Sequence, residues 1–200
     1  MSIDQHRGGR RTQRQRSEAT RSALVAAARS LFAEHGYHAT PAERVVRLAA
    51  VTSGALYHHF DDKRDLFRAA FDAVERSLAD RVRVAALGGA DPWERLERGV
   101  GEYLRACTEP ELRQIVLVDG PSVLGWDAWR AADAGHHLRP LASALASTMR
   151  AGLIERRPAL PLARLLVGAL TDAGLAAAVD RDETRDATLW LLRRLRTPPR

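Results

Sequence analysis

The 200 residues hold a single cysteine, Cys107. A lone thiol closes no internal disulfide and supplies no metal-binding spacing. No run approaches the ~20 apolar residues that cross a bilayer, and the longest, such as 23–28, are alanine-rich. The opening residues are polar and arginine-rich with no apolar stretch behind them, so no secretory signal is expected. The expectation is a cytoplasmic chain with no membrane partner. Valine, isoleucine and the aromatics never alternate with period two over a strand's length, which argues against a sheet. Lysine is nearly missing: Lys63 is the only one, against 30 arginines. The arginine excess reads as compositional bias, so one arginine says little about function, whereas the lone lysine escapes that bias.

Catalytic signatures are lacking too. The run Gly120-Pro121-Ser122-Val123-Leu124-Gly125 superficially looks like a nucleophile elbow. The G-x-S-x-G pattern, however, needs glycine where Leu124 stands, and no strand feeds the turn. His58-His59 and His136-His137 are adjacent pairs, not the i, i+4 pairs that put two ligands on one helical face. No glycine loop suited to phosphate appears. An enzyme is therefore the weaker reading, and no cofactor or metal is expected.

What is present is a globular composition, 46% hydrophobic and 28% charged, long enough for one compact domain or two small ones. The net charge of +6 is uneven. Residues 1–64 carry 11 Lys+Arg and 6 Asp+Glu, or +5, and residues 65–200 carry 20 and 19, or +1. A basic segment joined to a neutral one suits a polyanion-binding module attached to something else. A non-specific architectural DNA binder would instead spread its basic residues over the whole surface.

Residues 1–16 contain Arg7, Arg10, Arg11, Arg14 and Arg16 with almost nothing apolar, and a disordered basic arm is expected there. From Ser17 the pattern is helical. Leu24, Ala27, Ala28, Leu31 and Phe32 stripe a first helix ending at Gly36. Thr40-Pro41-Ala42-Glu43 has the form of a capping box with proline at the first helical position, and opens a short second helix to about Ala49. Thr52 caps a third through about His59. A fourth begins at Asp61 or Asp62 and carries Leu66, Phe67, Ala70, Phe71, Val74, Leu78 and Val82 until Gly88-Gly89 stops it. Asp91-Pro92-Trp93-Glu94 opens a fifth, Pro110 a sixth, and Asp119-Gly120-Pro121 reads as a breaker. Helical material continues through Trp126 and Trp129, a further helix begins or bends at Pro140, and the last two span roughly 161–179 and 182–196. The fold class is all-α with about nine helices. Its expected division is an arm (1–16), a three-helix helix-turn-helix head (17–62) and a helical body (63–200).

The second and third helices, short and separated by a tight turn, match a helix-turn-helix. The leading turn of the second helix in such a motif enters the major groove and must be slim. Thr52, Ser53, Gly54 and Ala55 meet that need. Tyr57 then offers a hydroxyl on a rigid ring for a phosphate at the groove's edge, with His58 beside it, while Leu56 and Phe60 face inward.

These residues carry a resemblance. Residues 20–74, about a quarter of the chain, resemble the DNA-binding domain of the TetR family of one-component repressors. The likeness rests on Leu31-Phe32, Gly36-Tyr37, Thr40, the run Val51-Thr52-Ser53-Gly54-Ala55-Leu56-Tyr57-His58-His59-Phe60, and Lys63 with Leu66. Residues 119–130 look like a stretch found in one branch of that family. The resemblance implies a homodimer on a pseudo-palindromic double-stranded operator, and implies DNA contacts at Thr40, Pro41, Thr52, Ser53, Gly54, Ala55, Tyr57, His58 and Lys63. Arg14 and Arg16 add backbone or minor-groove contacts from the arm.

This chain departs from the family pattern at three places. Ala50 stands where glycine is usual in the turn, Val46 where a small alanine is usual, and Ser53 where relatives are often basic. A non-glycine residue in left-handed backbone costs ~1–2 kcal/mol, so the turn is either strained or differently shaped.

In the body, Leu165, Gly168, Ala169, Asp172, Leu175, Ala176, Leu189 and Leu192 form the expected dimer interface, where small residues let helices approach closely. Trp93, Tyr103, Cys107, Asp119, Trp126, Trp129 and Met149 are the expected lining of a pocket for a small apolar or aromatic ligand. Asp133, Ser122, Asp127 and the pair His136-His137 are further polar handles. The family mechanism is a repressor that lets go of its operator when ligand binds; a ligand-independent DNA-binding regulator is the alternative.

Overall fold

The computed structural model describes residues 5–176 and 181–197. Residues 1–4 of the expected arm, and Ala177 and Val179 of the expected penultimate helix, lie outside the described residues, as does the side chain of Asp133.

Nine helical rods make up the described residues. α1 is Gln5–His35, α2 Ala42–Leu48, α3 Ser53–His59, α4 Lys63–Leu87 and α5 Pro92–Ala106. α6 runs continuously through Pro110–Leu112, Arg113–Asp119 and Gly120–Leu124, the middle segment being π-helical. α7 does the same through Trp126–Asp133, Ala134–Leu138 and Arg139–Arg150, with the π-turn again in the middle. α8 is Ala159–Ala176 and α9 Arg181–Arg193. Among the described residues the only β pairing is one isolated bridge between Ile154 and Arg196. α8 alone among the described residues has the length and apolar composition of a bilayer span.

Local chemistry sets several helix ends. The Thr52 hydroxyl accepts from the Ala55 amide at 3.2 Å, the Asp62 carboxylate from Asp65 at 2.7 Å, and Asp91 from Glu94 at 2.8 Å. Glu94 returns the favour by accepting from the Ala90 amide at 3.0 Å, completing a reciprocal capping box. Gly36 ends the buried part of α1 in left-handed backbone at φ +76°.

Three expectations are corrected. α1 starts at Gln5, so residues 5–16 continue the first helix instead of forming a loose arm capped off at Ser17. Residues 12–19 are all exposed; once the buried turns of α1 are formed, extending them outward needs only one backbone hydrogen bond per added residue. The supposed capping box at Thr40 does not form. The Thr40 side chain is fully buried and its hydroxyl donates backward, to the Gly36 carbonyl at 2.8 Å and the Leu31 carbonyl at 3.3 Å, leaving Pro41 as an N-cap without a side-chain bond. Nor does the chain break at Asp119-Gly120-Pro121. The π stretch leads straight into the next turn, where the missing amide of Pro121 is not needed, and the break falls at Gly125 with φ +86°.

The head core is Leu24, Ala28, Phe32, Val45, Leu56, Phe60 and Phe67. It runs without interruption through Phe71 and Val74 of α4 into the body core around Trp93, Ile115, Trp129 and Leu145. α4 therefore belongs to both parts, and no flexible linker separates them.

Candidate nucleic-acid interface

α2 and α3 are joined by a turn in which Ala50 adopts φ +52°, the one positive φ among described residues other than glycine. This answers the question posed by the sequence: the turn keeps its left-handed geometry and alanine bears the strain. Val46, larger than the family norm, is accommodated in the core at 7% exposure.

The leading turn of α3 is bare. Thr52, Ser53 and Gly54 are exposed and Ala55 is half-buried, while Leu56 behind them anchors the helix in the core. A Cβ on Gly54 would meet only the Thr52 hydroxyl, at 3.9 Å, so internal packing is not what keeps this position small. Tyr57 projects with 60% of its surface exposed, and His58 is exposed next to it. His59 is half-buried, and burial, then the neighbouring His58 and Arg21, hold its imidazole below the ordinary value, toward the neutral form. Pro41 is exposed at the start of α2. Thr40, named among the DNA contacts from sequence, is withdrawn from that role by its burial.

Lys63 opens α4. Its ammonium sits over the Tyr37 ring, 4.1 Å from the centroid, within cation–π range. Partial burial lowers its pKa, and the carboxylates of Asp119 and Glu43 oppose that shift. Tyr37 is pushed the other way, upward, by burial and then by Asp62, so the ring stays a neutral phenol under the lysine. Arg14 and Arg16 are exposed on α1, Arg14 in an i, i+4 pair with Glu18 at 2.9 Å. Such an exposed pair contributes little to stability. Sequence reasoning passed over Arg47, an exposed cation on α2; the arginine excess had hidden it.

The body separates its expected residues into different roles. Trp93, Tyr103, Cys107, Asp119, Trp129 and Met149 are buried. The Trp129 indole donates to the Val116 carbonyl at 2.8 Å, and Asp119 accepts from the Tyr37 amide at 2.8 Å. A Cβ on Gly174 would stand 2.9 Å from the Cys107 sulfur. Trp126, by contrast, is 59% exposed and leans on Trp129 with ring centroids 5.0 Å apart. One cleft among the described residues is lined by none of the seven. That cleft, about 530 Å³, lies between α4, α5, α8 and α9 and is lined by Arg98, Gly101, Glu102, Leu104, Ala173 and Arg185 among others. Trp93, Tyr103 and Trp129 lie in the hydrophobic core.

Along α8, Leu165, Ala169, Asp172, Leu175 and Ala176 are exposed, with Leu165 at 73%. Gly168 is half-buried with open space where a Cβ would stand. Leu189 and Leu192, expected on the same interface, are buried inside the chain, because α9 packs that side against α5 and α8. The exposed apolar residues of α9 are Trp190 and Leu191, at 56% and 54%. The composition of α9 pointed at its leucines, but only the rotation of the helix separates the two sets.

Comparisons with known proteins match both parts. The family model described as "Bacterial regulatory proteins, tetR family" matches residues 24–70, and "Tetracyclin repressor-like, C-terminal domain" matches residues 93–197. The chain is 33% identical over 113 residues to the HTH-type transcriptional repressor BepR of Brucella suis, covering 54% of this chain and 52% of that protein. It spans about half the length of the curated relatives it matches. A solved TetR-family transcriptional regulator from Pectobacterium atrosepticum superposes with a TM-score of 0.82 at 31% identity, covering 94% of this chain and 99% of that one. The structure of RolR in complex with resorcinol shares the fold, with a TM-score of 0.72 at 17% identity over 91% of this chain and 89% of that one.

Proposed function

Since this chain belongs to the TetR family of bacterial transcriptional regulators, we propose that it acts as a homodimeric repressor which leaves its operator when a small molecule binds the body. The helix-turn-helix DNA-binding domain comes with the family. The single observation that carries the rest is the form of α3: an exposed rod, capped by Thr52, small at its leading end, and flanked by an exposed Tyr57. Ser53, Gly54 and Ala55 approach base edges, Tyr57 and His58 reach the groove wall, and Lys63 takes a phosphate. Pro41, Arg14 and Arg16 lie farther out along the backbone. The division adopted is a head through residue 62 and a body from residue 63.

One helix-turn-helix reads few base pairs, so two must act together, with half-sites about 34 Å apart or a multiple of that. The exposed faces of α8 and α9, Leu165, Ala169 and Leu175 with Trp190 and Leu191, supply an apolar surface for a second copy. In this reading the apolar length of α8 is accounted for by a four-helix bundle across the dimer axis. Gly168, on the same helix as Asp172, permits close approach there.

Repression follows the named role of BepR. Release by ligand is supported by the shared core of head and body through α4, which leaves no joint to absorb a shift of the body. A small apolar or aromatic molecule entering the cleft beside α4 and α5 then changes the spacing of the two heads. It does so only by binding the non-operator state more tightly, by the ratio of its two affinities.

The test is selection of a duplex from a random library with the full chain, followed by titration of the selected site. Tyr57→Ala and Lys63→Ala are each expected to weaken binding about tenfold while leaving the thermal midpoint unchanged. Wild-type affinity in both variants overturns this assignment of the interface.

A further inference from the structure

Side-chain hydrogen bonds reach α6 from α1, from the start of α4 and from the loop after α1, and they differ in kind. Arg29 on α1 makes a two-pronged pair with Glu111, at 2.8 and 2.9 Å. Arg64 on α4 donates to the carbonyls of Val123 and Leu124, both at 2.9 Å. Both place an arginine at the seam. The third contact sets a carboxylate against the loop between α1 and α2. Asp119, 6% exposed at the end of the π stretch of α6, accepts the Tyr37 amide at 2.8 Å across 82 residues of sequence. The same carboxylate oxygen lies 3.6 Å from where a Cβ on Gly36 would stand, so it enters the loop itself.

What the loop carries explains why this matters. The Tyr37 ring packs edge-on against Phe67, centroids 5.2 Å apart, and its face supports the Lys63 ammonium at 4.1 Å. Thr40 ties the far end of the loop to Gly36. A lysine stem is flexible, and holding it before binding removes part of the entropy otherwise lost at the interface.

We infer that Asp119 is a positioning residue for DNA binding: by holding the Tyr37 loop with its buried carboxylate, it fixes the aromatic platform on which Lys63 is presented to the DNA phosphate. The proposal rests on Lys63 being a phosphate contact. It moves Asp119 from the ligand pocket, where the sequence had put it, to the body's hold on the DNA-reading head. The carboxylate charge acts in the same direction, its attraction to the Lys63 ammonium offsetting the lowering of its pKa by partial burial.

The experiment measures binding of the full chain to the selected duplex by fluorescence anisotropy across a range of salt, for wild type, D119A, D119N, K63A and the D119A/K63A double variant. Amide exchange at Tyr37 is read in parallel. K63A is expected to lower the slope of log K against log salt by about 0.9, one phosphate. D119A is expected to weaken binding about tenfold, to lower the slope as K63A does, and to speed exchange at Tyr37. The double variant is expected to bind no worse than K63A alone, the non-additivity of two groups acting as one. D119N keeps an acceptor oxygen and is expected to preserve slow Tyr37 exchange with a smaller loss of affinity; it stands in if D119A fails to fold. Normal affinity and slope in K63A overturn the phosphate role and the inference with it. A weakened K63A, combined with a D119A effect that is absent or multiplies with it, overturns the inference alone.

Discussion

The imidazole Nε2 of His137, in the π-turn of α7, stands 2.7 Å from the Glu75 carboxylate on α4, and both side chains are nearly closed to solvent at 10% and 1%. Tyr103 of α5 packs its ring edge against the same histidine at 5.4 Å. Three helices meet through this group in the middle of the body. Removing one member of a buried hydrogen-bonded pair strands the other, at a cost of about 1–3 kcal/mol. His137→Ala is therefore expected to lower the thermal midpoint sharply. Replacing both residues, as in Glu75→Met with His137→Leu, is expected to restore most of the loss, because two apolar side chains of similar volume leave no unpaired polar group. Calorimetry on the two variants checks both statements.

The φ of +52° at Ala50 makes a clean stability test. Left-handed backbone costs a residue bearing a Cβ ~1–2 kcal/mol, partly offset because glycine has more freedom to lose on folding. Ala50→Gly is expected to stabilise the chain by about 1 kcal/mol and to raise Tm by about 2–4 °C. No change in Tm would mean the alanine bears no strain.

Acid should act first on the seam between α4 and α5. Arg81 binds Glu102 at 2.9 Å and Glu109 at 2.7 Å, and Arg105 bonds both carboxylates again. Arg105 and then Arg81 hold Glu102 below its ordinary 4.5; for Glu109 Arg81 leads. Folded-state values below the unfolded ones mean the stabilisation is complete above about pH 4.5 and is lost as pH falls through the depressed values. Partial exposure keeps the effect modest. Arg81→Met is expected to move the acid-unfolding midpoint to higher pH, with no new pH dependence above neutrality. Circular dichroism against pH measures it.

The two faces of α9 predict opposite phenotypes. Leu165→Glu on α8, or Trp190→Glu on α9, places a charge on an exposed apolar surface and is expected to yield folded monomers with weakened operator binding. Leu192→Ala, at 3% exposure, is expected to cost about 2–5 kcal/mol of stability and to leave association intact. Sedimentation velocity together with thermal melting separates these outcomes. A dimeric Leu165→Glu variant would remove α8 from the interface.

Much of the architecture was legible because it is local. The caps at Thr52, Asp62 and Asp91, the left-handed end at Gly36 and the buried stripe of α1 all depend on residues three or four positions apart, and such spacings are written directly in the chain. At Ala50 the family resemblance left strain or a differently shaped turn open, and the φ of +52° decided for strain. The slim exposed start of α3 is likewise a matter of which residue types stand consecutively from 52 to 55.

Other features were not available at that range. Whether the Thr40 hydroxyl caps α2 or turns back to Gly36 depends on how closely α1 and α2 approach. Leu192 and Leu191 are neighbours in sequence, yet one is core and the other surface, since one step along a helix rotates a side chain by about 100° and only packing fixes the phase. Asp119 reaches Tyr37 across 82 residues, through a π stretch that composition does not announce. The sequence by itself determined most of the helices, several of their caps and the helix-turn-helix spacing, because these follow from short-range hydrogen bonding and periodic burial. Tertiary structure alone decided which side chains each helix turns outward and which carboxylate grips the head, because those depend on the distances between helices far apart in the chain.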